Sequence, residues 1–138
     1  MRDNVSTYEA LDEHGPETYR RAVYHQNARA SVVDLMTEFD QADCTLSTPK
    51  RSRTTTPLQA LTLMNHQFTI DMAEGLAANA RSSGGDDLAA QVEAVYRLAY
   101  QRLPEKAEQK KSIALVKQHG LRALCRAILN SSELIYLD

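Results

Sequence analysis

The chain has 138 residues, 43% of them apolar and 25% charged, which suits one compact domain able to build a core without disulfides or metals. Sixteen Lys and Arg against eighteen Asp and Glu leave a net charge of −2, which excludes a general electrostatic attraction to nucleic acid or anionic lipid. The opening MRDNVSTYEALDEHG lacks the basic and apolar regions of a signal peptide, and no run of about 18 apolar residues exists to span a bilayer.

Residues 6–13, STYEALDE, predict a short helical turn capped by Ser6 or Thr7 and ended by His14-Gly15-Pro16. Residues 19–27 fit either a short strand or a helix, because Tyr19, Val23 and Tyr24 satisfy both spacings, whereas VVDLMTEF at 32–39 reads as helical. From Gln41 to Thr56 periodicity disappears. Polar residues, Pro49 and the cations Lys50, Arg51 and Arg53 make this stretch a loop.

At Thr56-Pro57-Leu58-Gln59 a helix start is written locally. Thr56 serves as N-cap, Pro57 occupies the first helical position, and Gln59, three residues after the cap, reaches back to the cap amide. Leu58, Leu61, Met64, Phe68, Met72 and Leu76 follow at intervals of three or four. They predict one continuous helix whose apolar stripe faces the core and which ends at Ser82-Ser83-Gly84-Gly85.

Asp86 or Asp87 caps the next helix, with Leu88, Val92, Val95, Leu98 and Ala99 on its buried face, and Arg102-Leu103-Pro104 closes it. Pro104 then suits the first turn of a helix over EKAEQKKSIALVKQH, in which Ile113, Ala114, Leu115 and Val116 turn inward before Gly120. A last helix over 121–129 carries the stripe Leu121, Leu124, Cys125, Ile128 and Leu129, and 130–138 is a terminal segment with an apolar tail. Short connections favour antiparallel neighbours. The expected fold is therefore mainly α, a single domain made of a helical bundle over 56–138 behind an irregular or partly extended N-terminal segment and loop over 1–55.

Lys50, Arg51 and Arg53 are the first candidates for function, as contacts to an anion or a partner. Nucleic-acid sites spread cations over a face and interleave aromatics, and this loop has no aromatic residue. A solvated loop or intramolecular pairing fits the composition better, although Ser52 and the neighbouring Thr hydroxyls could help hold an anion beside a helix N-terminus. Cys44 beside Asp43, with His25 and His66 elsewhere, contains the parts of a thiol nucleophile and base but no spacing that assembles them. Cys125 falls on a buried helical face and reads as a small core residue. In an oxidising compartment Cys44 and Cys125 could pair.

His14, His25, His66 and His119 never recur at i, i+3 or i+4, so no metal motif emerges, and His66 reads as a surface or hydrogen-bonding residue. Asp34, Glu38, Asp40 and Asp43 form an acidic run without the Gly and terminal Glu of a calcium loop. Phosphate-loop, G-x-S-x-G, HExxH and C-x-x-C-H patterns are all absent. These residues give no cofactor, and the isolated domain is expected not to be an enzyme.

Four ordered blocks carry a resemblance to a family: YRRAVYHQNARASVVDLMTEFDQADC, RTTTPLQALTLMNHQF, VYRLAYQRLPEKAEQ and ALCRAILNSSELIYLD. Together they resemble the C-terminal domain, of unknown function, of large planctomycete cytochrome-c-associated proteins. The most specific piece is Arg53-Thr54-Thr55-Thr56-Pro57-Leu58-Gln59-Ala60-Leu61 followed by Met64-Asn65. The resemblance implies an exported or periplasmic multidomain parent with a c-type haem module upstream. It transfers no catalytic residue and, without C-x-x-C-H here, no haem. The segment from Leu46 to Lys50 is longer than in many members, so the resemblance assigns no shared role to Cys44.

The expected function is that of a noncatalytic domain that packs against upstream modules or a protein partner, binding no nucleic acid. The alternative is part of an enzyme acting on carbohydrate or in redox chemistry, with a site shared with an upstream domain. An exposed apolar patch would favour packing, and a deep pocket combining Cys44, His and carboxylates would favour chemistry.

Overall fold

A computed structural model describes residues 34–42, 47, 49–50 and 54–135. Seven α-helices and no strand occur among the described residues, so the mainly α reading holds. The turn expected at 6–13, the segment 19–27, and Cys44, Arg51 and Arg53 lie outside them. No helix among the described residues is long and apolar enough to cross a membrane. The chain divides into two compact units, Met1–Thr62 and Leu63–Asp138.

In the first unit, α1 spans Asp34–Glu38. The amides of Phe39 and Gln41 close onto the Met36 carbonyl at 3.2 and 3.1 Å. Asp40 turns the chain at φ 55°, a left-handed conformation that short polar side chains tolerate better than most. Helix α2 spans Pro57–Asn65, and Thr56 and Pro57 start it where the sequence places the start.

Two expectations for this region are corrected. Leu58, Leu61 and Met64 are 53%, 54% and 48% exposed, while Gln59 is only 8% exposed. The periodicity was real, but the amide of Gln59 takes the inward position and turns the leucines out. The helix is also not continuous, because His66 sits in an extended conformation and a second helix, α3, runs from Gln67 to Gly84. The His66 Nδ1 accepts from the Phe68 amide at 3.1 Å, capping α3 as Asn or Asp would. Phe68 is likewise exposed, and Met72 and Leu76 are half-buried.

The second unit continues with α4 (Leu88–Tyr100), α5 (Lys106–His119), α6 (Leu121–Leu129) and α7 (Ser132–Ile135). Helix α3 packs against α4 and α6, α5 against α4 and α6, and α7 against α4 and α6. The core joins Ala73, Ala77 and Ala80 of α3 to Val92, Val95 and Tyr96 of α4, Val116 of α5, and Leu121, Leu124, Cys125 and Ile128 of α6. The three alanines are fully buried. Side chains this small let α3 approach its neighbours closely while α4 and α6 supply the larger apolar groups. At Gly84 the approach is tightest, since a Cβ there would meet the Gln91 backbone nitrogen at 2.6 Å.

Local capping explains the helix starts. Asp87 accepts from the Ala89 and Ala90 amides at 3.1 and 3.3 Å and so begins α4. Glu105 caps α5, with Glu108 returning to the Glu105 amide at 2.7 Å; Pro104 therefore precedes the cap rather than entering the first turn as expected. Gly120, at φ 83°, ends α5 and begins α6, a geometry that glycine adopts without a Cβ penalty. Within α4, Leu98 is 48% exposed and Tyr96 is buried instead. Within α5, Ala114 is exposed and Ser112 is buried. The Tyr96 hydroxyl lies 3.2 Å from the Ser112 hydroxyl, so each polar atom gives the other a partner and both can leave water.

Candidate functional site

Thr54 and the start of α2 are bonded to the end of α1 and the residues just after it. The Thr54 amide donates to Asp40 Oδ2 at 2.6 Å, and the Thr54 hydroxyl donates to the same carboxylate at 2.9 Å. The Thr56 amide donates to Gln59 Oε1 at 3.1 Å, while the Gln59 amide donates to Thr56 Oγ1 at 3.2 Å. That is the reciprocal capping box expected from the spacing. The Gln59 Nε2 then donates to the Glu38 carbonyl at 2.9 Å and to Thr54 Oγ1 at 3.2 Å. One side chain thus ties the start of α2, Thr54 and the end of α1 together. The Asp40 acceptor also shows what one member of the acidic run does.

This geometry bears on the anion reading. The hydroxyls of Thr54 and Thr56 are engaged within the protein, and Lys50 is exposed. Arg51, Ser52, Arg53, Cys44, His14 and His25 lie outside the described residues. Of the remaining chemistry-bearing residues, His66 is the cap of α3, and Cys125 is a free thiol sealed in the core. Burial pushes the Cys125 pKa up to about 12, so the thiolate that nucleophilic chemistry requires is disfavoured there. Among the described residues, no group of three or more His, Cys, Asp and Glu could hold a metal ion.

The far end of α2 is anchored within the second unit. Arg126 on α6 donates through Nε to the Met64 carbonyl at 2.8 Å and through a terminal nitrogen to Asn65 Oδ1 at 3.0 Å. Carbonyls at a helix C-terminus lack intrahelical partners. A cationic donor supplies one here and also suits the negative end of the helix dipole.

Sequence reasoning missed a heavily bonded arginine of the second unit. Arg102 makes two hydrogen bonds to Glu108, both at 2.8 Å, and two to Glu133, at 2.7 and 2.9 Å. Its guanidinium also lies 5.5 and 5.3 Å from the ring centroids of Tyr96 and Tyr100. The two rings meet edge to face at 5.4 Å, and the Tyr100 hydroxyl donates to Ser131 at 2.7 Å. Forked Arg–carboxylate pairing and cation–π contact together fix the α4–α5 connection and α7.

The Arg102 bonds, and after them the Glu105 amide, hold Glu108 down to a pKa of about 2. Glu133 is lowered by the same arginine. Burial raises the Tyr100 pKa. The sequence did hold one signal for part of this hub, because Glu105 and Glu108 stand at capping-box spacing just after Arg102.

Residues 2–116 match the model of a protein family described as PSD1, protein of unknown function (DUF1553). No curated protein and no solved structure matches the chain.

Proposed function

The chain belongs to the PSD1 family of unknown function, and from that premise we propose that it is a noncatalytic module that packs against another module of a larger exported protein. The parent assigned by this reading is a planctomycete, cytochrome-c-associated protein, with the present chain as its C-terminal domain. Lys50, Arg51 and Arg53 remain, in this reading, the charged residues offered to an anion or to that partner.

One observation carries the reading: α2 is fixed by its capping box and by Gln59, yet it turns Leu58, Leu61 and Met64 to solvent. Three large apolar residues at intervals of three lie on neighbouring positions of a helix and form the kind of surface that a partner buries. Their exposure follows from the polar bonds that orient the helix, so it is built in rather than a result of fraying.

Oxidative footprinting of Met64 tests the proposal in the natural full-length polypeptide against the isolated chain. The expected result is rapid thioether oxidation in the isolated chain and strong protection in the full-length protein. Leu61→Asp should remove that protection while leaving the isolated chain folded. Equal oxidation of Met64 in both contexts would overturn the proposal.

A further inference from the structure

We propose that the outer face of α5 is a docking surface for an acidic helical segment of a partner protein. Lys106, Lys110, Lys111 and Lys117 are all exposed, as are Ala107 and Ala114 between them; Gln118 continues the face. At about 100° per residue, Lys106, Lys110 and Lys117 fall within an arc of about 40° and extend over about 16 Å of helix. Ala107 and Ala114 lie beside that row, and Lys111 flanks them on the far side.

The cations of this region divide into two sets. Arg122 reaches Glu74 at 3.7 Å, and Arg126 holds the end of α2. The four lysines form no ion pair with any described residue. The one acidic side chain within α5, Glu108, is turned away to Arg102 and the Glu105 amide. Lys106 and Lys110, at i and i+4, repel each other across one helical turn. The face therefore carries a concentrated positive charge, on a chain of net charge −2, with no ion-paired carboxylate among the described residues.

Complementarity selects the occupant. The lysines offer ammonium point charges rather than the arginine forks that read base edges, and the face has no aromatic residue to stack a base. It also has no large apolar side chain to insert into a bilayer. Ala107 and Ala114 stand seven residues apart, one repeat of a helix–helix seam. Their short side chains admit a partner helix closely while the flanking lysines reach its carboxylates, as charged residues beside a coiled-coil seam do.

The probe is a fluorescent Glu/Ala helical peptide of about twenty residues, roughly 30 Å long, titrated at low ionic strength. Saturable binding that weakens with salt is expected. The combined Lys106→Gln, Lys110→Gln, Lys111→Gln and Lys117→Gln variant should bind about tenfold or more weakly with an unchanged melting curve, and Lys→Arg at the same positions should restore binding. Arg97→Gln on α4 and Leu61→Asp on α2 should leave it intact, which separates this surface from the α2 packing surface. Absence of saturable binding, binding indifferent to the fourfold Gln variant, or tighter binding to a single-stranded DNA of equal charge or to phosphatidylglycerol vesicles would overturn the proposal.

Discussion

Replacing Gln59 by Leu perturbs the centre of the hydrogen-bond network that links the start of α2 to Thr54 and the end of α1. The substitution keeps a buried, helix-compatible side chain of similar size but removes the bonds to the Thr56 amide, the Glu38 carbonyl and the Thr54 hydroxyl. Each such bond contributes about 1 kcal/mol net, and a polar group left buried without a partner costs about 1–3 kcal/mol. Thr54 and Thr56 are exposed, so water replaces part of the loss there, whereas the Glu38 carbonyl loses a partner at a half-buried residue. The expected destabilisation of the first unit is about 2 kcal/mol. Thr56→Ala, which removes only the hydroxyl acceptor of the box, should cost about 1 kcal/mol.

The assay is denaturant unfolding followed by far-ultraviolet circular dichroism, with amide exchange at Leu58–Ala60 reporting on the start of α2. The double variant should be less destabilised than the sum of the singles, because the two residues share the capping box. An unchanged midpoint and unchanged exchange in Gln59→Leu would refute the claim that this side chain, rather than an apolar stripe, orients α2.

Val95→Ala empties a fully buried position and should cost about 2–3 kcal/mol from two lost methyl groups and the residual cavity, whereas Leu98→Ala on the exposed side of the same helix should stay within about 0.5 kcal/mol; denaturant midpoints compare them. Gly84→Ala should destabilise by about 1–3 kcal/mol, since the obstructing atoms are backbone at Ala90 and Gln91, and thermal unfolding would show it. For acid stability the sign follows from carboxylates whose folded pKa values lie below their ordinary ones: their contribution is complete above about pH 4.5 and is lost as the pH falls toward about 2 for Glu108. Glu108→Gln should therefore lower the thermal midpoint at neutral pH and converge with the parent protein near pH 2, while a constant gap across that range would contradict the Arg102 assignment.

What could be read from the sequence was what a few neighbouring residues decide. Thr56 and Gln59, Asp87 with its following amides, and Gly120 each set a boundary through bonds spanning four residues or fewer, and all three boundaries were legible. The stripe of α6 was legible as well, because Leu121, Leu124, Cys125 and Ile128 fill one face without a competing polar group. Failures came where a distant partner overruled periodicity. Gln59 turned inward for a carbonyl 21 residues away. Helix α2 stopped where Arg126, more than 60 positions along, took Met64 and Asn65. Arg102 reached Glu133 across 31 positions. His66 was legible as a hydrogen-bonding residue, but only the structure showed that its bond caps a new helix.

The same distinction separates the two kinds of residue in the block from Thr54 to Asn65. Thr54, Thr56, Gln59 and Asn65 all have partners that position α2, and Pro57 suits the helix start by its fixed φ. These residues account for the placement of α2 without the leucines. Leu58, Leu61 and Met64 contribute little to it, since they remain about half exposed and none belongs to the buried core. If α2 served only to close the loop, polar side chains at those positions would do so equally well and would lower the risk of aggregation. Polar substitution at Leu58 and Leu61 should accordingly leave the stability of the isolated chain almost unchanged while, under the packing role proposed above, weakening association with the partner module. That divergence between stability and assembly is the property that distinguishes a docking helix from a structural one.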